Sequence, residues 1–250
     1  MSSVLLLSDI HGNLPALEAV LADANQHGQY SEAWVMGDSV GYGAQPNEVI
    51  ERLRALPNPT IVKGNHEAAA IGEISMASFN SAAGVAADWT ARNLDPEIRE
   101  FLIDLPLVAE RLGITICHGT PRNPIWEYMF TSRIGELNLD HFDTLGCVHG
   151  HTHISSIFGR DTSGTWRAQQ ATDGDEVVLA NLRWFVNPGS AGQPRDGDPR
   201  AAYAVLDVDE QRKSVCVKFH RVEYDVSLAQ DLILGTGLPA SLAHRLAIGH

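Results

Sequence analysis

The sequence predicts an α/β protein on two observations. Over the first hundred residues, short apolar runs alternate with segments of helical period, and each run stops at a polar loop. In the second half, β-like runs follow one another without an obvious helix between them. The first strand is Val4 to Leu7, ending at Ser8-Asp9-Ile10-His11-Gly12-Asn13. Asn13 is placed to cap the next helix, Pro15 is tolerated in its first turn, and Leu14, Leu17, Leu21 and Ala24 recur at helical spacing. Ala33 to Met36 then leads into Gly37-Asp38, and Asn47 to Leu56 carries Val49, Ile50, Leu53 and Leu56 on one helical face. Thr60 to Val62 leads into Gly64-Asn65-His66-Glu67. Such alternation implies crossovers and a largely parallel sheet, with all three polar loops at strand C-terminal ends, where open sheets bind ligands.

From Ala68 to Leu105 the chain reads mostly helical. Strands are expected at Ile114 to Cys117, Leu145 to Val148, Trp184 to Val186, Tyr203 to Val208 and Val215 to Val222. Strands joined without helices pair antiparallel, so the second half is expected to form a mixed or antiparallel sheet packed on the first. The polar stretch from Gly159 to Glu176 reads as an exposed loop or hairpin.

With 250 residues, 44% of them hydrophobic and 20% charged, the chain can build one core, and a single domain over residues 1–250 is expected. Eighteen Lys and Arg against 31 Asp and Glu give a net charge of −13, which opposes non-specific binding to nucleic acid or anionic membranes. Three cysteines without paired spacing, and no apolar leader after Met1, point to a reducing, cytoplasmic setting. No run approaches the roughly 18 apolar residues of a membrane span.

Side chains able to bind a metal stand at the end of one strand after another: Asp9 and His11, Asp38, Asn65 beside His66, His118, and His151 with His153. In an extended segment, residues two apart project to the same side, so Asp9/His11 and His151/His153 would each present two ligands together. Imidazole, carboxylate and a neutral amide suit Mn, Fe, Zn, Ni or Co, and the lack of a cysteine pair argues against a thiolate zinc site. The set is too large for one tetrahedral ion, and it fits two divalent ions if one carboxylate, such as Asp38, bridges them. Two ions roughly 3.5–4 Å apart clamp an in-line displacement at phosphorus.

These blocks, Asp-Ile-His-Gly-Asn, Gly-Asp, Gly-Asn-His-Glu, His-Gly and Gly-His-Thr-His, resemble those of the calcineurin-like metallophosphoesterase superfamily, in order over residues 9 to 153. Asn-Pro-Gly-Ser at 187 to 190 extends the likeness. The resemblance implies a four-layered α/β sandwich, two facing mixed sheets flanked by helices. It implies that Asp9, His11, Asp38 and His153 hold one metal and that Asp38, Asn65, His118 and His151 hold the other. His66 is then the non-ligand histidine that contacts the phosphoryl group or protonates the leaving oxygen.

The protein phosphatases and bis-nucleoside tetraphosphatases of that superfamily carry G-D-x-x-D-R-G at the second block, whereas this chain has Gly41 in place of the acid and Tyr42 in place of the arginine. The Gly-Tyr-Gly form looks more like the small bacterial and archaeal phosphodiesterase branch. Two divalent ions outweigh Asp9, Asp38 and a bridging hydroxide, which leaves a local charge of roughly +1 inside an acidic protein. Arg195, after Asn-Pro-Gly-Ser, and Arg122, after His118-Gly119, are candidates to bind phosphate. The expected function is therefore hydrolysis of a small or nucleotide-like phosphodiester by a metal-bridging hydroxide. A phosphomonoesterase or nucleotidase, or a protein phosphatase, is the alternative on the same site. A non-catalytic scaffold on this fold is expected to have lost ligands, and none is missing here. His149 reads as a core or supporting histidine, and His27, His141, His220, His244 and His250 as surface or packing residues.

Overall fold

The computed structural model describes residues 2–209 and 214–250. Twelve strands are described: β1 (Ser2–Leu7), β2 (Glu32–Val35), β3 (Pro59–Ile61), β4 (Val108–Arg111), β5 (Ile114–Cys117), β6 (Gly146–Val148), β7 (Ser156–Asp161), β8 (Trp166–Gln170), β9 (Glu176–Val178), β10 (Leu182–Asn187), β11 (Ala201–Asp209) and β12 (Ser214–Val222). The α-helices are α1 (Leu14–His27), α2 (Pro46–Arg54), α3 (Asn65–Ile71), α4 (Ser81–Asn93), α5 (Pro96–Asp104), α6 (Ser132–Asn138), α7 (Val226–Gly235) and α8 (Ala240–His244). The strands make two six-stranded mixed sheets, ordered β3-β2-β1-β11-β12-β9 and β4-β5-β6-β10-β7-β8. Among the described residues no helix is long and apolar enough to cross a membrane.

The layers follow from side-chain alternation in β1. Val4 and Leu6 join Trp34, Ile116, Val148, Trp184, Leu206 and Phe219 in the core between the two sheets. Leu5 and Leu7 face the other way, onto Leu17, Val20 and Leu21 of α1 and Val49 and Leu53 of α2. A strand covered on both faces must be apolar throughout, which is why β1 reads as a continuous run. On the outer side of the second sheet, Cys117, Cys147, Phe158 and Phe185 pack with Met129 and Phe142, against Ile134 of α6. The four-layered sandwich is thus present. α1 begins where the sequence places it, with the Asn13 side chain accepting from the Ala16 N–H at 3.2 Å.

Strand partition differs from the sequence expectation. The second half does not form a sheet of its own, because β11 pairs antiparallel with β1 (Ser2↔Val208 to Leu6↔Ala204), and β12 and β9 follow it into the first sheet. The second sheet also holds two parallel pairs, β5 with β6 and β6 with β10. A crossover containing the seven-residue α6 makes the first possible, and its short, largely polar sequence carries little helical period. The Gly159 to Glu176 stretch is a hairpin in its first part, where β7 and β8 turn on Asp161, whose carboxylate accepts from Ser163 and Thr165. Cys216 is half-buried rather than buried like Cys117 and Cys147. The parallel strands β1, β2, β3, β5, β6 and β10 all deliver their C-terminal loops to one edge of the sandwich, and that edge carries the site.

Candidate metal centre

The loops after β1, β2, β3, β5 and β6 bring the sequence-predicted residues together in two buried groups. One oxygen or nitrogen from each of Asp9, His11, Asp38 and His153 lies within 4.8 Å of the others, and the same holds for Asp38, His118 and His151. Asp38 belongs to both. Asn65 completes the second group, its Oδ1 3.0 Å from His118 Nε2. All seven residues are buried.

The pairs converge by a different route from strand alternation. Asp9, His11, Asp38, His151 and His153 all have φ between 50° and 67°, so the chain has left the extended conformation and turns through the left-handed region at each. For non-glycine residues that region costs energy, of order 1–3 kcal/mol in strained cases, and is held only when the surroundings over-determine it. Hydrogen bonds supply that constraint. Glu67 Oε1 accepts from the backbone N–H of Ser39 (2.6 Å) and Val40 (3.1 Å), and Oε2 from Asp38 (2.9 Å) and Gly64 (2.8 Å). Asn187 donates to the Gly150 carbonyl (2.7 Å) and to Thr152 Oγ1 (3.0 Å), and Ser190 donates to the Asp9 carbonyl (2.7 Å). The Asn-Pro-Gly-Ser block therefore braces the loops of Asp9 and His151 and contributes no ligand. Sequence reading passed over Glu67, although a glutamate three residues after the helix-capping Gly64 is the position from which a side chain reaches back to backbone amides.

The donor set fits metal ions. His11, His118 and His153 each place Nδ1 on a backbone carbonyl, of Val40 (3.1 Å), Met36 (2.8 Å) and Gln193 (2.6 Å). An Nδ1–H donated there leaves the Nε2 lone pair pointing inward, the arrangement of a metal-binding imidazole. Those lone pairs meet one another and the carboxylates: His11 Nε2 is 3.2 Å from His153 Nε2, His118 Nε2 is 2.9 Å from His151 Nδ1, and His153 Nε2 is 3.3 Å from Asp9 Oδ1. Clustered lone pairs and carboxylates repel unless positive charge lies among them. The carboxylates favour positive charge on the neighbouring imidazole in the same way. Burial alone would lower His118, yet Asp38 and then Asp9 raise it to about 10, while burial pushes Asp9 up to about 7.

His66 sits at the start of α3, next to Asn65, and its N–H donates to Asp38 Oδ1 at 2.9 Å. The loop turns its ring back among His11 (4.9 Å between centroids), Tyr42 (4.4 Å) and Phe79 (5.0 Å). Nδ1 is buried without a partner, and a Cβ on Gly41 would fall 2.2 Å from it. Gly41 therefore makes room for the ring itself, and His66 is packed among aromatic rings rather than beside an acid. Gly41 also has φ +84°. Gly41→Ala should lower stability by roughly 1–3 kcal/mol through strain and overpacking, and reduce activity with it. Denaturant titration beside a hydrolysis assay checks this, and an unchanged variant would show that His66 does not rest on that backbone.

The two candidate arginines part company. Arg195 lies half-buried by the cluster, its guanidinium 5.7 Å from the Tyr42 ring, and after burial, the main cause, its charge adds to the lowering of the His153 and His66 pKa values. Arg122 is taken by Glu127 in a two-nitrogen ion pair, so its role as a phosphate contact is not supported. Sequence reading missed Arg245, which reaches the Tyr42 ring at 5.7 Å from the C-terminal segment. His149 is buried outside both groups, consistent with a supporting place.

Known proteins are similar to this chain in sequence and fold. The sequence model of the calcineurin-like phosphoesterase superfamily domain matches residues 2–211. An uncharacterized protein of Methanocaldococcus jannaschii is 35% identical over 253 residues, covering 99% of this chain and 98% of its own. Phosphodiesterase YfcE of Escherichia coli is 26% identical over 84% of this chain and 89% of its own. A metallophosphoesterase from Sphaerobacter thermophilus, 42% identical, has a crystal structure that superposes with a TM-score of 0.87 over 99% of this chain and 100% of that one. With the domain match spanning every loop that supplies the two groups, the chain belongs to the calcineurin-like phosphoesterase superfamily.

Proposed function

We propose that this chain is a two-metal phosphodiesterase acting on a small or nucleotide-like phosphodiester. The observation that carries the reading is the pair of buried ligand groups that share Asp38. Asp9, His11, Asp38 and His153 would hold one divalent ion, and Asp38, Asn65, His118 and His151 the other. When bound, such ions polarise a phosphoryl group and supply hydroxide at neutral pH. Arg195 binds a phosphoryl oxygen from the side of the His153 loop. His66, pushed down to about 4 chiefly by burial, is neutral at pH 7 and acts as a hydrogen-bond donor. With Nδ1 sealed against Gly41, Nε2 is the nitrogen that meets the substrate.

Charge favours a diester. A diester carries a single negative charge at phosphorus, whereas a monoester approaches two. Tyr42 stands where an arginine would grip the second charge, and Arg122 is spent on Glu127. Aromatic side chains beside the site suit a substrate with a planar group: Phe79 meets Trp126, and Tyr128, 42% exposed, stacks on His151 with ring centroids 3.9 Å apart. The phosphodiesterase among the relatives is in accord. With Mn²⁺ supplied, bis(p-nitrophenyl) phosphate should be hydrolysed faster than p-nitrophenyl phosphate and faster than a phosphoserine peptide. Strong phosphopeptide turnover without diester activity would overturn the assignment.

A further inference from the structure

We propose that Asp23, His27 and His220 form a separate surface site for a divalent transition metal of the zinc class, at the far end of α1 from the phosphoesterase centre. Asp23 and His27 lie one turn apart on α1, with His27 Nε2 3.5 Å from Asp23 Oδ2. His220 comes from β12, almost 200 residues later, and its ring centroid is 4.7 Å from that of His27. One ligand atom from each of the three lies within 4.8 Å of the others. Two imidazoles and a carboxylate are the donors of open zinc sites and also suit nickel, cobalt and copper.

Two of the three groups are oriented from behind by one residue. Tyr203, fully buried on β11, donates its hydroxyl to Asp23 Oδ2 at 2.6 Å and stacks its ring on His220 at 4.8 Å and 13°. Hydrogen bonds and packing of this kind behind ligands commonly change metal affinity by roughly 10–100-fold. A bland account, in which His27 pairs with Asp23 at a helix C-terminus, explains those two residues. It leaves unexplained a second imidazole, brought from β12, set 4.7 Å from the first and held flat on Tyr203. A metal converts that contact into a shared attraction. His27 and His220 line a cleft of about 240 Å³ that Ser3, Gln29, Tyr30, Asp207 and Lys218 also border, with room there for a further ligand. An α-helix of 14 residues is about 21 Å long, so this site and the Asp9 loop at the other end of α1 are chemically independent.

The test is zinc content at equilibrium. After dialysis of the full chain against micromolar free Zn²⁺, the parent should retain one equivalent more than His27→Ala. His220→Ala should lose the same equivalent, and Tyr203→Phe should bind it roughly 10-fold or more weakly. Diester hydrolysis should be unchanged in His27→Ala, whose side chain is half-exposed and touches nothing in the catalytic groups. Asp38→Asn should keep this equivalent whatever happens to the other metals, so failure here and failure of the two-metal reading are told apart. Equal zinc content and equal zinc affinity in the parent and His27→Ala would overturn the proposal.

Discussion

In an Asp38→Asn variant, diester hydrolysis is expected to fall by more than roughly 100-fold, since loss of a residue merely behind a ligand already costs roughly 10–100-fold. Metal content should fall in both groups at once, because Asp38 is the residue they share. A neutral amide offers one good acceptor oxygen and no charge, so it cannot join two cations as a carboxylate does. Folding should survive. Asparagine keeps the oxygen that accepts from the His66 N–H, and the change removes the repulsion between Asp38 and Asp9 in the metal-free protein. Asn65→Ala supplies the contrast, since it should weaken only the group of His118 and His151. Metal analysis with circular dichroism and steady-state kinetics decides the matter. Full metal content in Asp38→Asn, or loss of both metals in Asn65→Ala, would refute the shared-carboxylate geometry.

His66→Ala should retain both metals yet lose roughly 10²–10³ in rate, the usual worth of one hydrogen-bond donor aimed at developing charge. The leaving group tells which role the histidine plays. A neutral His66 that donates to a phosphoryl oxygen slows an activated aryl diester and an alkyl diester by similar factors. A general acid would instead be missed mainly on the alkyl ester, whose alkoxide cannot leave without a proton. Because burial holds His66 at about 4, it stays neutral from there upward, and the rate profile between pH 5 and 8 should show no ionisation that disappears in His66→Ala. A bell-shaped profile that loses its alkaline limb in the variant would assign a proton transfer to His66. Loss of a metal would make it a ligand and displace Asn65 from that place.

Much of this site is legible in the linear sequence because its chemistry is written in residue types at strand ends. Carboxylates, imidazoles and an asparagine that close one apolar run after another have no packing purpose, and a parallel sheet carries such loops to one edge. The apolar run of β1 and the Asn13 cap were readable for the same reason: each is decided by neighbours a few residues away.

What needed the tertiary structure is whatever depends on distant partners or on backbone angles. The pairing of β11 with β1 is set by a free sheet edge nearly 200 residues upstream, and α6 is held by Met129, Phe142 and Phe185 rather than by a strong period of its own. Left-handed turns at five ligands are invisible to a periodicity argument, since only a network such as that around Glu67 can hold them. The same is true of Gly41, which reads as a lost acid in one dimension and as the space for an imidazole in three. His27 and His220 look unremarkable alone because nothing in the sequence says that α1 and β12 end side by side. Local composition specifies which atoms can do chemistry, while the long-range packing of β-sheets specifies which of them meet.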